Sequence, residues 1–233
     1  MIIIELQFDP TLARLAHTKC IHRTLPEPTS LKDACAAAGI PSCEIGQIDG
    51  AGDLDVLLTG GEIVALAAVR RVDAGDGRFL CDGHLGKLAR LLRTLGVDTT
   101  WNDAWTEPEI ARRSLNEGRI VLSGNRALLK RAALTRAMLI ADDDPDLQTA
   151  AVVRRFDLFD HLEPFGRCPL CNGEVEMVAK SDVAERIPPR TAAWRDTYYV
   201  CAGCDQLYWE GTHVLALRSR IDRILAAARK DPA

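Results

Sequence analysis

The sequence predicts an α/β protein: a parallel sheet flanked by helices in the middle of the chain, a small α+β domain before it, and a metal-built ribbon after it. Three observations carry that prediction. Between residues 78 and 155, short apolar runs alternate with amphipathic stretches that end in turn residues, the pattern of repeated strand-helix units. Upstream of the turn-rich linker Ala74-Gly75-Asp76-Gly77, strand, helix and late strand follow one another in so short a segment that a small sheet with one helix across a face is expected. Near the C-terminal end, Cys168-Pro169-Leu170-Cys171 is answered by Cys201-Ala202-Gly203-Cys204. The expected segments are residues 1–77, 78–161 and 162–233.

Each element has a local reason. In residues 2–8, Ile2, Ile4, Leu6 and Phe8 alternate with Ile3, Glu5 and Gln7, the period of a strand. A helix over 31–38 has Ser30 as its cap, Asp33 near the capping-box position and Gly39 at its end. Strands are expected at 43–48 and 63–69. In the middle segment, strands at 78–81, 97–101, 119–122 and 137–140 are separated by helices at 85–95, closed by Gly96, at 108–116, closed by Glu117-Gly118, and at 126–132. A further helix over 145–155 follows. The last segment ends in a helix over 213–229 with Leu215, Leu217, Ile221, Ile224 and Leu225 as its apolar members.

The chain has 233 residues, a formal net charge of -4, 47% hydrophobic and 27% charged residues, all ordinary for a globular protein. That charge does not mark a nucleic-acid binder, so any basic surface has to be local. No apolar stretch is long enough to cross a membrane, and Met1-Ile2-Ile3-Ile4-Glu5-Leu6 lacks a basic leader, so an intracellular, cytoplasmic protein is expected. In a reducing compartment Cys20, Cys35, Cys43 and Cys81 read as small buried hydrophobes. The two C-x-x-C pairs read differently. Each suits a tight knuckle, and Cys168, Cys171, Cys201 and Cys204 together make a closed tetrahedral zinc shell with no open position, which is structural rather than catalytic. A redox dithiol is the alternative, and His213 is a spare ligand.

Chemistry is therefore sought upstream. Asp82 directly follows the first strand of the middle segment, within Phe79-Leu80-Cys81-Asp82-Gly83-His84-Leu85-Gly86-Lys87. A carboxylate at a strand's carboxyl end, beside glycines that admit a ligand, can hold a cation; it can equally cap the next helix. Lys87, Arg90 and Arg93 fall on one side of that helix, a stripe that suits a phosphodiester or simply a solvated face.

Residues 79–93 closely resemble the opening of the Mut-seven C-terminal RNase family, a branch of the PIN-like nucleases. The likeness continues through Glu117-Gly118-Arg119-Ile120-Val121-Leu122-Ser123, Asp143-Asp144-Pro145-Asp146-Leu147-Gln148, Arg167-Cys168-Pro169-Leu170-Cys171-Asn172-Gly173 and Tyr208-Trp209-Glu210-Gly211-Thr212-His213. Residues 1–77 resemble the ubiquitin-like domain that precedes such RNase domains, with Gly39-Ile40-Pro41-Ser42-Cys43-Glu44 as the best match. The resemblance implies a PIN-like sheet on which acidic residues hold Mg²⁺ or Mn²⁺ for RNA cleavage. Asp82 matches the first acid, Glu109 is expected as the second, and Asp143 or Asp144 as the last. Each has a plain alternative: Thr106-Glu107-Pro108-Glu109 reads as a capping box, and Asp144 before Pro145 as an N-cap.

One departure stands out. Where the family carries threonine-x-aspartate, this chain has Ser123-Gly124-Asn125, and an amide in place of a carboxylate weakens a divalent site. Asn125 is also a natural helix cap. Either the centre is rebuilt with Asp103, Glu107 or Asp142, or binding is kept without catalysis. The expected activity is thus a metal-dependent ribonuclease. The alternatives are a catalytically degenerate RNA-binding protein, or one that docks a protein partner through its N-terminal domain.

Overall fold

The computed structural model describes residues 1–130, 134 and 136–230. Its elements run in order β1 (Ile2–Phe8), α1 (Pro10–Ala16), β2 (Cys20–Leu25), β3 (Thr29–Ser30), α2 (Leu31–Ala37), β4 (Ile45–Asp49), β5 (Leu57–Leu58) and β6 (Ile63–Ala68). Next come β7 (Phe79–Cys81), α3 (Gly86–Thr94), β8 (Thr99–Trp101), α4 (Glu107–Glu117), β9 (Ile120–Ser123), α5 (Arg126–Leu129), β10 (Ala137–Leu139) and α6 (Pro145–Arg155). The last are β11 (Val175–Val178), α7 (Pro189–Ala192), β12 (Tyr198–Cys201), β13 (Leu207–Trp209) and α8 (Thr212–Ala228). The architecture is mixed α/β, with parallel strand pairing flanked by helices. The chain forms two compact units: Met1–Val72 with Ala104–Ala141, and Asp73–Asp103 with Asp142–Ala233. Among the described residues no helix is long and apolar enough to cross a membrane.

In the first unit, strands are ordered β2-β1-β6-β4, with β1 parallel to β6 and antiparallel to β2, and β4 antiparallel to β6. Strand alternation sends Ile4, Leu6 and Phe8 inward, where they pack with Leu12, Leu31, Cys35, Ile40, Val64 and Leu66. Asp9 caps α1 and Ser30 caps α2, each accepting the backbone N–H three residues on. The strand expected from residue 43 starts two residues later, because Ser42–Glu44 close into a 3-10 turn. There Glu44 is buried, and its Oε1 accepts the backbone N–H of Leu139 at 2.8 Å. In the same unit β9 and β10 pair in parallel, and α4 has the expected capping box and ends on left-handed Gly118. Of the helix expected over 126–132, α5 covers Arg126–Leu129; residues 131 and 132 lie outside those described.

In the second unit β7 and β8 pair in parallel, with Phe79, Leu80 and Cys81 fully buried. The apolar face of α3 buries Leu88, Leu91 and Leu92, and α6 packs against both α3 and α8. Gly96, at φ +87°, ends α3; a Cβ there would meet the Glu163 carbonyl at 2.4 Å. Strands β11, β12 and β13 form an antiparallel sheet over a small core of Val183, Ile187, Tyr198 and Leu207. On α8, Ile221 and Ile224 are buried, whereas Leu215, expected on the apolar face, is exposed. Cys35 and Cys81 are buried as expected of small hydrophobes, but Cys20 and Cys43 are only half-buried.

Candidate metal centre and cationic cleft

The second unit brings all four predicted sulfurs together. Cys168, Cys171, Cys201 and Cys204 offer Sγ atoms within 4.8 Å of one another. Two matching turns build the group. The Cys168 carbonyl accepts from Asn172 N–H at 2.9 Å, and the Cys201 carbonyl accepts from Asp205 N–H at 2.9 Å; Asn172 and Asp205 are both left-handed. Gly173 N–H points at Cys171 Sγ at 3.4 Å and Gly203 N–H at Cys201 Sγ at 3.3 Å, donors that favour thiolates. A side chain at Gly173 would collide with Cys201 Sγ at 2.9 Å. Burial pushes the Cys168 thiol up, but the Tyr208 hydroxyl, 3.0 Å away, and the backbone amides of Cys171 and Leu170 outweigh it and bring it down to about 7. Burial pushes Cys171 up to about 12, and the neighbouring sulfurs add to that against the Gly173 N–H. This donor set fits a tetrahedral thiophilic ion. His213 is not one of the group; it lines a separate cavity of about 480 Å³ with Phe165, Tyr199, Tyr208 and Trp209. Tyr208 therefore serves both the sulfurs and that cavity, a double role its place in the motif did not disclose.

The same unit holds an open cleft of about 420 Å³ around the start of α3. Lys87 and Arg90 line it, with His84, Trp101, Asp143 and Gln148. Trp101 Nε1 donates to the Gly83 carbonyl at 3.1 Å, and its ring lies so near Gly86 that a Cβ there would fall 2.7 Å from it. Asp82, 5% exposed, precedes the cleft residues Gly83 and His84, and its Oδ1 accepts the His84 N–H at 3.0 Å. Asp143 is exposed on the cleft wall, while Asp144 caps α6 by accepting the Asp146 N–H at 2.8 Å. The acids of this unit considered for the centre, Asp82, Asp103, Asp142, Asp143 and Asp144, do not gather into any group of three with ligand atoms within 4.8 Å.

Arg93 does not join the basic stripe. It is 3% exposed, and its guanidinium donates to the carbonyls of Thr99 at 2.7 Å, Pro169 at 3.2 Å and Leu170 at 2.9 Å. The residue flanks the buried leucine face of α3, and the first cysteine turn takes both hydrogen bonds of its Nη1. Lys87 and Arg90 remain exposed.

The other two expected site residues lie in the first unit. Glu109 closes the capping box, and the Thr106 N–H and hydroxyl hold its carboxyl below the usual carboxylate range. Asn125 caps α5, its Oδ1 accepting from Ala127 and Leu128, while its Nδ2 donates to Glu107 Oε1 at 2.8 Å. Glu107, one of the acids considered for a rebuilt centre, is thus hydrogen-bonded to Asn125.

With this geometry in place, comparison with known proteins gives two findings. The model of the Mut7-C RNAse domain family matches residues 77–221, more than half of the chain. The exonuclease mut-7 homolog of Homo sapiens is 31% identical over 133 residues, which is 53% of this chain and 15% of that protein's length. No solved structure matches.

Proposed function

Because this chain belongs to the Mut7-C RNAse domain family, we propose that it is a divalent-metal-dependent ribonuclease acting on single-stranded RNA. The observation that supports this most is the cleft itself: two exposed cations, Lys87 and Arg90, and an exposed carboxylate, Asp143, share one cavity beside Asp82. Lys87 and Arg90 hold RNA phosphates, and Asp82 and Asp143 are the carboxylates for Mg²⁺ or Mn²⁺. That ion supplies an activated water and charge stabilisation at the leaving oxygen. The cysteine group holds structural zinc. Residues 1–77, 78–161 and 162–233 are the proposed ubiquitin-like, PIN-like and zinc-ribbon segments. The ubiquitin-like reading draws support from the order β2-β1-β6-β4 with α2 packed on it, and a protein partner through that segment belongs to the same proposal.

Cleavage of single-stranded RNA in Mn²⁺ by wild type and Asp82→Asn tests the reading. Asparagine caps as well as aspartate, so the fold should survive while cleavage falls by on the order of 100-fold or more. Lys87→Ala and Arg90→Ala should weaken RNA binding and flatten its salt dependence. Unchanged cleavage by Asp82→Asn would refute the centre, and an inactive wild type that still binds RNA would favour a degenerate binding protein.

A further inference from the structure

We propose a second metal site on the outer face of the first unit's sheet, formed by Glu5, Cys20 and His22 and taking Zn²⁺. Strand pairing assembles it. In the antiparallel ladder of β1 and β2, Glu5 lies directly opposite His22, and Cys20 stands two residues before His22 on the same face. Glu5 shares its face with Ile3 and Gln7, away from the core side chains Ile4, Leu6 and Phe8.

The imidazole of His22 lies between the other two side chains. Cys20 Sγ is 3.5 Å from His22 Nε2, and His22 Nδ1 is 3.6 Å from Glu5 Oε2. One ligand atom from each residue can be chosen so that all three lie within 4.8 Å of one another. Sulfur and nitrogen ligands at about 2.3 and 2.0 Å on tetrahedral zinc stand roughly 3.5 Å apart, which matches the Cys20–His22 separation. The surroundings orient the donors. Gln7 Nε2 donates to Glu5 Oε1 at 2.8 Å, leaving Oε2 toward His22, as outer partners of metal ligands do. The Cys20 carbonyl and N–H are both tied to the Thr18 hydroxyl, fixing the start of β2.

One thiolate, one imidazole and one carboxylate make a mixed set that favours zinc over Mg²⁺ or Ca²⁺ and balances its charge. Binding releases the Cys20 thiol proton to solvent. Three protein ligands leave the fourth position of zinc to water or to a donor from another molecule, unlike the closed four-sulfur group. His22 is largely exposed, so the position is accessible.

Metal counting on the full chain tests this. Protein saturated with Zn²⁺ and passed through a desalting column should carry two zinc per chain, against one for His22→Ala and Cys20→Ser, with unchanged circular dichroism. Glu5→Gln should weaken the second equivalent by on the order of tenfold or more. In protein whose four-sulfur group is filled with zinc, added Co²⁺ should give a thiolate charge-transfer band that Cys20→Ser removes. A wild type that holds no more than one zinc, or variants that keep the second equivalent, would overturn the proposal.

Discussion

At the scale of single residues, the sequence disclosed chemical type better than partner. Arg93 is the clearest case. Its spacing from Lys87 and Arg90 puts it on a basic stripe, yet its guanidinium ties α3 to the first cysteine turn through the carbonyls of Pro169 and Leu170. Removing it leaves the buried Thr99 carbonyl without this donor and frees the part-buried carbonyls of Pro169 and Leu170, so Arg93→Ala should lower the unfolding free energy in urea by about 2 kcal/mol and speed metal loss to a chelator. A midpoint equal to wild type would show that water replaces the guanidinium. Asn125 teaches the reverse. Its capping role was legible from sequence, but the bond to Glu107 was not, because it joins residues 18 apart. Asn125→Ala should cost about 1 kcal/mol through the lost cap. Asn125→Asp keeps the cap but sets a second carboxylate against Glu107, so it should raise the melting temperature gained on adding Mn²⁺ relative to wild type. An identical gain in both proteins would count against a cation at this position. The cysteine thiols carry a pH expectation. Burial raises Cys171 to about 12, so zinc has to displace its proton, and apparent zinc affinity should fall about tenfold per pH unit on acidification for each proton displaced. Competition with a chelator at about pH 7 and at lower pH reads this slope directly.

Among elements, legibility followed local signals. Helix α6 is where it was expected because Asp144 and Pro145 mark its start, and α4 because a capping box and Gly118 bracket it. Strand β2 went unread. It lies at the sheet edge and no residue in it is fully buried, so the apolar alternation that betrays β1 is missing. Helix α1 was missed although Asp9-Pro10 signals it, because the helix is short and buries only Leu12. The three ribbon strands also escaped, since their small core rests on Val183, Ile187, Tyr198 and Leu207 and cannot by itself fix the fold. Zinc on the four sulfurs, as proposed above, would supply the difference. Cys201→Ser should release the ion and unfold β11, β12 and β13, because structural zinc contributes folding free energy on the order of 10 kcal/mol. Elemental analysis and the near-UV signal of Tyr198, Tyr199 and Trp209 should change together; metal-free protein with an intact signal would contradict this.

For the whole molecule, compactness does not follow the order of the chain. The turn at Ala74–Gly77 was readable, but not that residues 104–141 would cluster with residues 1–72. Nothing local announces such a contact: the Glu44 carboxylate meets the Leu139 N–H across 95 positions, and Arg126 reaches the Leu15 and Gly39 carbonyls. Deleting residues 1–77 should therefore leave β10 with an unpaired N–H and Arg126 without its acceptors. Such a truncated chain should melt well below the full protein and exchange amide hydrogens faster through 120–123 and 137–139. Equal protection in both would show that the removed segment is dispensable to β9 and β10.

The crossings of the chain between units also govern its synthesis. Each unit is made of two stretches, so a ribosome that has released residue 103 has delivered only part of each. The first unit waits for residue 141, and the second for the cysteines that follow. For that interval Leu80, Leu88 and Leu92, all buried in the finished protein, have no complete core to enter and stay open to water.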